Sequence, residues 1–521
     1  MATTPISTSQ RQYYTDFYLS HLQNQLDWAI AYVQENRPPV AIREHMQTYL
    51  GMLRECHHHP ELYSSSVDLI ILLHPWPLHW DYWADWEQEL NFAAIIVQAP
   101  SQKAELLAYL AHMMFLTGRR EAALEFGKQS FYYARSANGI VLLTRSGIRV
   151  ASILFEHKEA EQATEILNLV EDEIAEKESQ KMFSSDVASA RAYFTLYKAR
   201  RLRTEDHADV ALTLLNRMID QLKSVPGVDP DILADSYSDR AIIHWLQGES
   251  LVAIEDLNLA IELVSQAGYQ SEERAFRGNL GLCYRTAGQL KQAEETLLDC
   301  VLLAERLRTY YRLSFDLGSL TLVFLSQGRI QDALATNNRH IALAKDYSSP
   351  AENMRALDIF GMIKFHAGDY ESAQNALEKN VPYYDDQTGK VDLITQLAYL
   401  SCCYKALGKL GQAISTAEKN FDCAEQQSFL PPKIFALRAL AEVRIPSQSK
   451  VLLNQALALA RQSHRRLDEA ACLTSLASVE ENKLKQKKLW DSAEHILQEM
   501  GASRWIDGRS PLHPPEIPFT M

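Results

Sequence analysis

A glycine that recurs at one fixed interval constrains the fold of this chain more than any other feature. The clearest run of these glycines is Gly248, Gly288, Gly328, Gly368 and Gly408. Five positions after each comes an alanine: Ala253, Ala293, Ala333, Ala373 and Ala413. Seven positions before each stands a small residue: Ala241, Gly281, Thr321, Gly361 and Ser401. Columns that repeat together in this way indicate an array of similar structural units.

Each repeat has the pattern of two antiparallel helices joined at the glycine. A small residue in the first helix lets the second helix approach closely, and glycine ends the first helix because it adopts the left-handed backbone conformation without strain. Within a unit the apolar spacing is helical, as at Leu280, Cys283 and Tyr284. One such hairpin cannot bury both of its faces, whereas stacked copies share a continuous core. The sequence therefore predicts an all-α solenoid.

The repeat continues less regularly toward both ends of the chain. Gly118 and Ala123 have the same spacing, but the next position of the glycine column is occupied by Lys158. The register slips between 164 and 248 and again near 444. We predict an N-terminal helical capping region at 1–100, a solenoid of about nine hairpins at 101–483, and a C-terminal capping helix with a proline-rich tail at 484–521.

These columns resemble the tetratricopeptide repeat (TPR). The small residue, the turn glycine and the alanine have that family's spacing, and Tyr284, Phe324 and Tyr404 fall where the family often has an aromatic residue. The interval of about 40 residues exceeds the usual TPR period of about 34 residues. This longer form resembles the superhelical domain of MalT-like regulators and related signal-transducing (STAND) NTPases. The resemblance implies a right-handed α-α superhelix.

Composition limits the possible classes of function. The net charge is −14 and the isoelectric point about 5.6. A large nucleic-acid footprint requires a basic face, so we expect no direct nucleic-acid binding. No apolar run has the length of a membrane span, so we expect no membrane association. Seven scattered cysteines without a CxxC motif are typical of buried thiols in a reducing compartment, which predicts a cytoplasmic protein.

Sequence motifs for catalysis are absent. The chain contains no GxxxxGK[ST], HExxH or GxSxG pattern. Cys56-His57-His58-His59 is a dense group of metal-type ligands, but adjacent residues do not all face one ion from a helix, so we interpret it as an exposed polar loop. We therefore expect a protein that is not an enzyme and that holds neither a metal nor another cofactor.

The resemblance implies a binding groove on the inner side of the array, lined by the first helix of each hairpin. The groove positions, counted back from the turn glycines, are mostly apolar or aromatic and include three cations. The predicted partner-binding residues are Ile242, Trp245, Leu282, Arg285, Leu322, Leu325, Arg355, Met362, Phe365 and Lys405. Such a surface suits an amphipathic helix or an extended peptide with some acidic groups. The alternative, of equal weight, is that tighter coiling buries these positions as core.

A second candidate surface is the tryptophan-rich stretch HPWPLHWDYWADW at 74–86. Trp76, Trp80 and Trp83 have the spacing of one helical face. We favour packing against the preceding hairpin as the interpretation of this face. The alternative is a docking patch for a partner, since tryptophan is enriched at binding hot spots.

The predicted function is a non-catalytic protein-interaction scaffold or regulatory sensor that binds a peptide or partner helix in the groove. By resemblance, its setting is bacterial signalling or transcriptional regulation. One alternative is a small-ligand receptor with a closed pocket around Trp245, Arg285 and Phe365. Another is a regulatory subunit of a separately encoded enzyme such as a protease or nuclease. The sequence leaves the oligomeric state open.

Overall fold

The structure is a computed structural model. It describes residues 8–35, 39–74, 76–80, 82–117, 119–180, 184–205, 207–307, 310–347, 350–385, 391–507 and 509. All regular elements in these ranges are helices, in consecutive pairs joined by short turns, and the predicted all-α solenoid is confirmed. None of the described helices combines the length and apolar character that a membrane span requires.

The chain divides into two compact units whose segments alternate along the sequence. Unit 1 comprises Met1–Phe194, Leu222–Ile232 and Leu263–Glu273. Unit 2 comprises Thr195–Gln221, Leu233–Glu262 and Arg274–Met521. The division of the chain at 100/101 and 483/484 is based on changes in the sequence repeat, and it stays a prediction.

The first part of the chain contains ten α-helices and one short 3₁₀ helix, η1, within the described residues. In chain order they are α1 Thr8–Gln34, α2 Pro39–Glu44, α3 Met46–Cys56, η1 Pro60–Leu62, α4 Tyr63–Leu73, α5 Trp76–His79, α6 Trp83–Ile96, α7 Pro100–Leu116, α8 Arg120–Ser136, α9 Ile140–Glu156 and α10 Ala160–Ser179.

The remaining described helices continue the array to the C-terminal end. They are α11 Ser185–Thr204, α12 Ala208–Leu222, α13 Pro230–Gln247, α14 Ser250–Ala267, α15 Gln270–Thr286, α16 Leu290–Leu307, α17 Tyr310–Ser326, α18 Ile330–Tyr347, α19 Pro350–His366, α20 Tyr370–Asp385, α21 Val391–Ala406, α22 Leu410–Glu425, α23 Leu430–Glu442, α24 Pro446–Gln462, α25 Arg466–Val479, α26 Lys483–Glu499 and the 3₁₀ helix η2 Ser503–Trp505.

The repeated glycines end the first helix of each hairpin in the predicted way. Gly288 has φ +81°, its N–H donates to the Arg285 carbonyl, and the next N–H, of Gln289, donates to the Tyr284 carbonyl at 2.8 Å. This pattern satisfies carbonyl groups that the helix end would leave unpaired. Lys158 adopts the same left-handed conformation, with φ +64°, so the turn persists where the sequence departs from glycine. Gly118 lies outside the described residues.

The small residues of the first helices permit the close helix approach that the repeat predicts. A Cβ built on Gly281 would lie 2.6 Å from Leu297 Cγ, and one on Gly361 would lie 2.8 Å from Leu377. The alanines five positions after the glycines are fully buried on the second helices. Both columns therefore reflect packing within the hairpin.

The predicted closing helix corresponds to α26. Its buried face consists of Trp490, Ala493, Ile496 and Leu497. Beyond it, Trp505 on η2 is also buried. The prolines of the predicted tail, between 511 and 518, fall outside the described residues.

Candidate functional site

The ten predicted groove residues all lie in unit 2, but they differ in exposure. Five are buried: Arg285, Leu322, Leu325, Met362 and Phe365. Four are half-buried: Ile242, Trp245, Leu282 and Arg355. Lys405 is exposed, and its Nζ lies 2.7 Å from Glu442 Oε2. The alternative interpretation, burial in the core, therefore applies to half of these positions. The role of the ten residues in binding a partner stays a prediction.

The apolar inner-face residues are buried because the first helices of successive hairpins contribute to one interior. Leu325 of α17, Phe365 of α19 and Tyr399 of α21 belong to a single buried cluster with Phe435 of α23. That cluster also contains Trp505 of η2. Large aromatic and aliphatic side chains removed from water in this way dominate the packing free energy of unit 2.

Residues 463–506, which we call the closing segment, pack against the turns of earlier repeats. A Cβ built on Gly248 would lie 2.5 Å from Ser463 Cβ. One on Gly288 would lie 3.2 Å from Arg466 Cβ, and one on Gly328 would lie 3.1 Å from Arg504 Cβ. Three consecutive turn glycines therefore contact successive parts of this segment. A Cβ at Gly248 would collide with this segment, and one at Gly288 or Gly328 would require it to shift by a few tenths of an ångström. The glycines therefore permit this contact as well as the turn.

Trp505 anchors the end of the closing segment. Its indole Nε1 donates to the Ser326 carbonyl at 3.0 Å, and its ring lies 5.1 Å from the imidazole of His366, edge to face. The His366 Nε2 is in turn 3.0 Å from the Tyr399 hydroxyl. Ser326, the last residue of α17, thus accepts a hydrogen bond from the buried Trp505, and the ring of His366, at the end of α19, packs against its indole. We call this place, formed by Ser326, Gly328 and His366, the Trp505 seat.

A group of buried charges lies at the start of α25. Asp468 accepts a hydrogen bond from Arg438 Nη1 through Oδ1 and one from Arg465 Nε through Oδ2, each at 2.7 Å. The three side chains are at most 6% exposed. The Arg465 guanidinium also lies over the ring of Phe435, at 5.3 Å. Both oxygens of the carboxylate are therefore engaged by arginines.

Arg285 lies close to this group and is 2% exposed. Its Nε and Nη2 form no hydrogen bond with any described residue. The pKa of the guanidinium is lowered to about 9, first by burial and then by the nearby charges of Arg465 and Arg355, while Asp468 and Tyr399 oppose the shift. Each cause is electrostatic or a loss of hydration, so Arg285 is a cation held where the protein offers it little compensation.

Two buried carboxyl groups of unit 2 also have perturbed acidity. Asp358 accepts hydrogen bonds from Asn380 Nδ2 at 2.7 Å and from the Tyr384 hydroxyl at 2.5 Å, and burial raises its pKa to about 7. Burial raises the pKa of Asp316 to about 6, which nearby Arg274 opposes. A third carboxylate of unit 2, Asp235, forms an ion pair with Arg200 at 2.9 Å.

The tryptophan-rich stretch packs within unit 1. Trp80 is 2% exposed, and its Nε1 donates to the Gly268 carbonyl at 3.1 Å. The ring of Trp76 stacks on Trp80 with centroids 5.4 Å apart and meets Tyr269 edge to face. Trp83 is half-buried against the same cluster. These contacts pack the face partly against residues 268–269, and both its packing against the preceding hairpin and a docking role stay predictions.

The Cys56–His59 cluster differs from the exposed loop that we expected. Cys56 is fully buried at the end of α3, since its helical face belongs to the core of unit 1. His57 Nε2 lies 2.8 Å from Glu89 Oε2, so this histidine pairs with a buried acid of α6. No group of three His, Cys, Asp or Glu side chains within the described ranges is arranged to hold a metal ion.

Comparison with known families and structures agrees with this geometry. The tetratricopeptide repeat family matches residues 276–306, which contain the turn at Gly288 and most of α16. The crystal structure of a Rap protein complexed with competence and sporulation factor superposes with a TM-score of 0.51 and 15% identity, over 68% of this chain and 96% of that one. At this identity the likeness concerns the fold.

The curated relatives match a shorter stretch. Outer dynein arm-docking complex subunit 4 of Homo sapiens is 23% identical over 175 residues, 33% of this chain and 26% of that protein. The Bos taurus protein is 26% identical over 176 residues, 33% of this chain and 25% of its own length. The chain thus spans about a quarter of the length of the curated relatives that it matches.

Proposed function

We propose that this TPR-type repeat protein is a non-catalytic scaffold that binds a peptide or helix of a partner protein on the inner side of unit 2. The Trp505 seat is the observation that carries the proposal. It already holds a tryptophan that is presented by a short 3₁₀ helix, in the manner of a bound peptide. A partner segment with an aromatic anchor would compete for the same place.

The chemistry of the seat suits such an anchor. Tryptophan combines a large apolar surface with one N–H donor, and the seat offers the half-buried ring of His366 with one carbonyl acceptor. Anchors of this kind dominate the free energy of binding at many interfaces. The half-buried Trp245 and Arg355 and the exposed Lys405 would contact the rest of a bound segment.

The relatives support a protein partner. They are named as subunits of a docking complex, and the repeat family match lies in the hairpin whose turn contacts the closing segment. The resemblance to MalT-like regulators and the bacterial setting remain predictions, and the curated relatives are mammalian proteins. We propose a cytoplasmic location because six of the seven cysteines are buried, as is typical of structural thiols in a reducing compartment.

The test uses the full-length chain with Trp505→Ala and a fluorescent peptide that copies residues 499–509. We expect the peptide to bind this variant, because its tryptophan replaces the missing anchor, and to bind wild type at least ten-fold more weakly. Fluorescence anisotropy measures both affinities. Trp490→Ala is the matched control, since Trp490 is buried on α26 at a distance along the chain from the anchor. Equal binding to the two variants, or no binding to either, would contradict the proposal.

A second candidate function is that of a small-ligand receptor, which the buried Arg285 favours. A third candidate function is that of a regulatory subunit of a separately encoded enzyme, bound through an outer surface. It predicts a stable stoichiometric complex that the peptide copying residues 499–509 does not dissociate.

A further inference from the structure

One edge of the Arg285 guanidinium is buried without a hydrogen-bond acceptor. The two nitrogens concerned, Nε and Nη2, lie on the same side of the planar group, and neither bonds to a described residue. Burying a charge without a partner opposes folding. At 2% exposure, this side chain has almost no contact with bulk solvent.

Other arginines of this chain show which group accepts hydrogen bonds from this edge. Arg191 donates from Nε and Nη2 to the two oxygens of Glu178, at 2.9 and 2.7 Å. Arg240 donates from the same two atoms to Asp256, at 2.8 and 2.5 Å. In both pairs each carboxylate oxygen accepts one hydrogen bond from this edge, which is the strong bidentate pattern.

The neighbours of Arg285 do not supply that carboxylate. Asp468 is the acid that acts on it, but its two oxygens already accept from Arg438 and Arg465. The other charged neighbours are cations: Arg465, which shares Asp468 with Arg438, and Arg355, which pairs with Glu352 at 3.2 Å. The local surplus of positive charge is therefore in a region of low dielectric constant, where an added anion gains more from attraction than it would in water.

We infer that unit 2 contains a binding site for a carboxylate group at the Nε–Nη2 edge of Arg285, between α15, α19 and the start of α25. The ligand class is a small carboxylic acid, since a side chain this buried accommodates only a small group beside it. The inference is independent of the protein partner proposed above, because it concerns Arg285 and not the Trp505 seat.

The first test measures thermal unfolding of the full-length protein at pH 7.5 in Tris chloride, with sodium acetate, sodium succinate or sodium phosphate at matched ionic strength. We expect the unfolding temperature to rise saturably by about 3 °C or more with acetate or succinate, since a ligand that binds only the folded state stabilises it. Sodium chloride corrects for the general effect of salt.

Variants assign the effect to Arg285. In Arg285→Met we expect no response to acetate or succinate, and in chloride an unfolding temperature no lower than that of wild type, because the uncompensated buried charge is gone. Arg240→Met is the matched control: it breaks an ion pair of unit 2 that uses the same guanidinium edge, so it should unfold earlier and keep the full carboxylate response. Calorimetric titration of Arg285→Lys, which keeps the charge without the planar edge, should show at least ten-fold weaker binding.

The remaining outcomes show whether the carboxylate comes from a small acid or from a peptide side chain, and which results would overturn the inference. A response to the peptide acetyl-Ala-Asp-Ala-amide, without one to acetate or succinate, would support the same chemistry with a peptide side chain as its source. A response to phosphate alone, a response that Arg285→Met retains, or no response in wild type would overturn the inference.

Discussion

The indole Nε1 of Trp505 lies 3.0 Å from the carbonyl oxygen of Ser326, 179 residues earlier in the chain. This hydrogen bond joins the end of the closing segment to the end of α17. It gives unit 2 a direct connection between its last helices and a repeat in its middle, in addition to the contacts between successive hairpins.

Trp505 should contribute strongly to the stability of unit 2. We expect Trp505→Ala to lower the free energy of unfolding by about 3–5 kcal/mol through lost burial, and Trp505→Phe by less, about 1 kcal/mol of it from the lost hydrogen bond. Urea denaturation measures both. Trp28→Phe is the control, since Trp28 is 50% exposed and should change stability by less than about 0.5 kcal/mol. Similar losses at the two positions would mean that Trp505 is not seated as described.

Two glycines with similar backbone conformations should differ in their tolerance of alanine. Gly248 has φ +89° and would bring a Cβ to 2.5 Å from Ser463 Cβ, whereas Gly408 has φ +74° and nothing within 4 Å. Gly408→Ala should lower the free energy of unfolding by about 1–2 kcal/mol, the cost of the left-handed conformation. Gly248→Ala should lower it further, because the closing segment must also move. Equal losses in chemical denaturation would argue against the contact.

These glycines show how far the sequence predicts the fold. The constant repeat period, the left-handed turns and the buried alanine column all depend on contacts within a hairpin, so they are readable from local spacing. The sequence analysis also predicted the capping helix that corresponds to α26.

The exposure of the groove residues could not be predicted in the same way. Leu325 and Phe365 are buried in an interior that includes Trp505, and Trp505 belongs to the closing segment, which returns to the turns at 248, 288 and 328. That return depends on small rotations between hairpins summed along most of unit 2, which no local pattern encodes. The position of Trp505 outside the helical columns was a usable signal, since an isolated large aromatic residue near a chain end commonly packs against something.

The stability of unit 2 should depend on the ionisation of Asp358. Its pKa in the folded protein is about 7, above the ordinary value of 3.8, so the folded state binds the proton more tightly. The stabilisation from that proton is full below pH about 4 and is lost as the pH rises through about 7. Asn380 and Tyr384 of α20 and Asp392 of α21 are the groups that act on this carboxyl.

Asp358→Asn should therefore remove part of the pH dependence. Between pH 4 and 8, we expect the free energy of unfolding of wild type to fall relative to the variant by about 2–4 kcal/mol. Urea titrations at each pH give the difference between the two proteins, in which other titrating groups cancel. Parallel curves would show that Asp358 is ionised at low pH in the folded state.

The cysteines should differ in reactivity. Cys423 is half-buried and the other six are buried, and burial raises the pKa of Cys283 and Cys472 to about 12. Because the thiolate is the reactive form, iodoacetamide at pH 8 should modify Cys423 first in the folded protein and all seven cysteines in urea. Peptide mass spectrometry locates the products. Modification of Cys283 or Cys472 at the rate of Cys423 would contradict the described burial.

The contacts of Gly248, Gly288 and Gly328 with the closing segment fix the number of repeats in unit 2. In an open-ended array, a hairpin can be inserted or deleted with a loss close to its own share of stability. Here the deletion of one hairpin between Gly328 and Ser463 would shift the closing segment by one repeat, so that each glycine would meet the wrong part of it. Unit 2 therefore tolerates substitution within a repeat more readily than the gain or loss of a whole one.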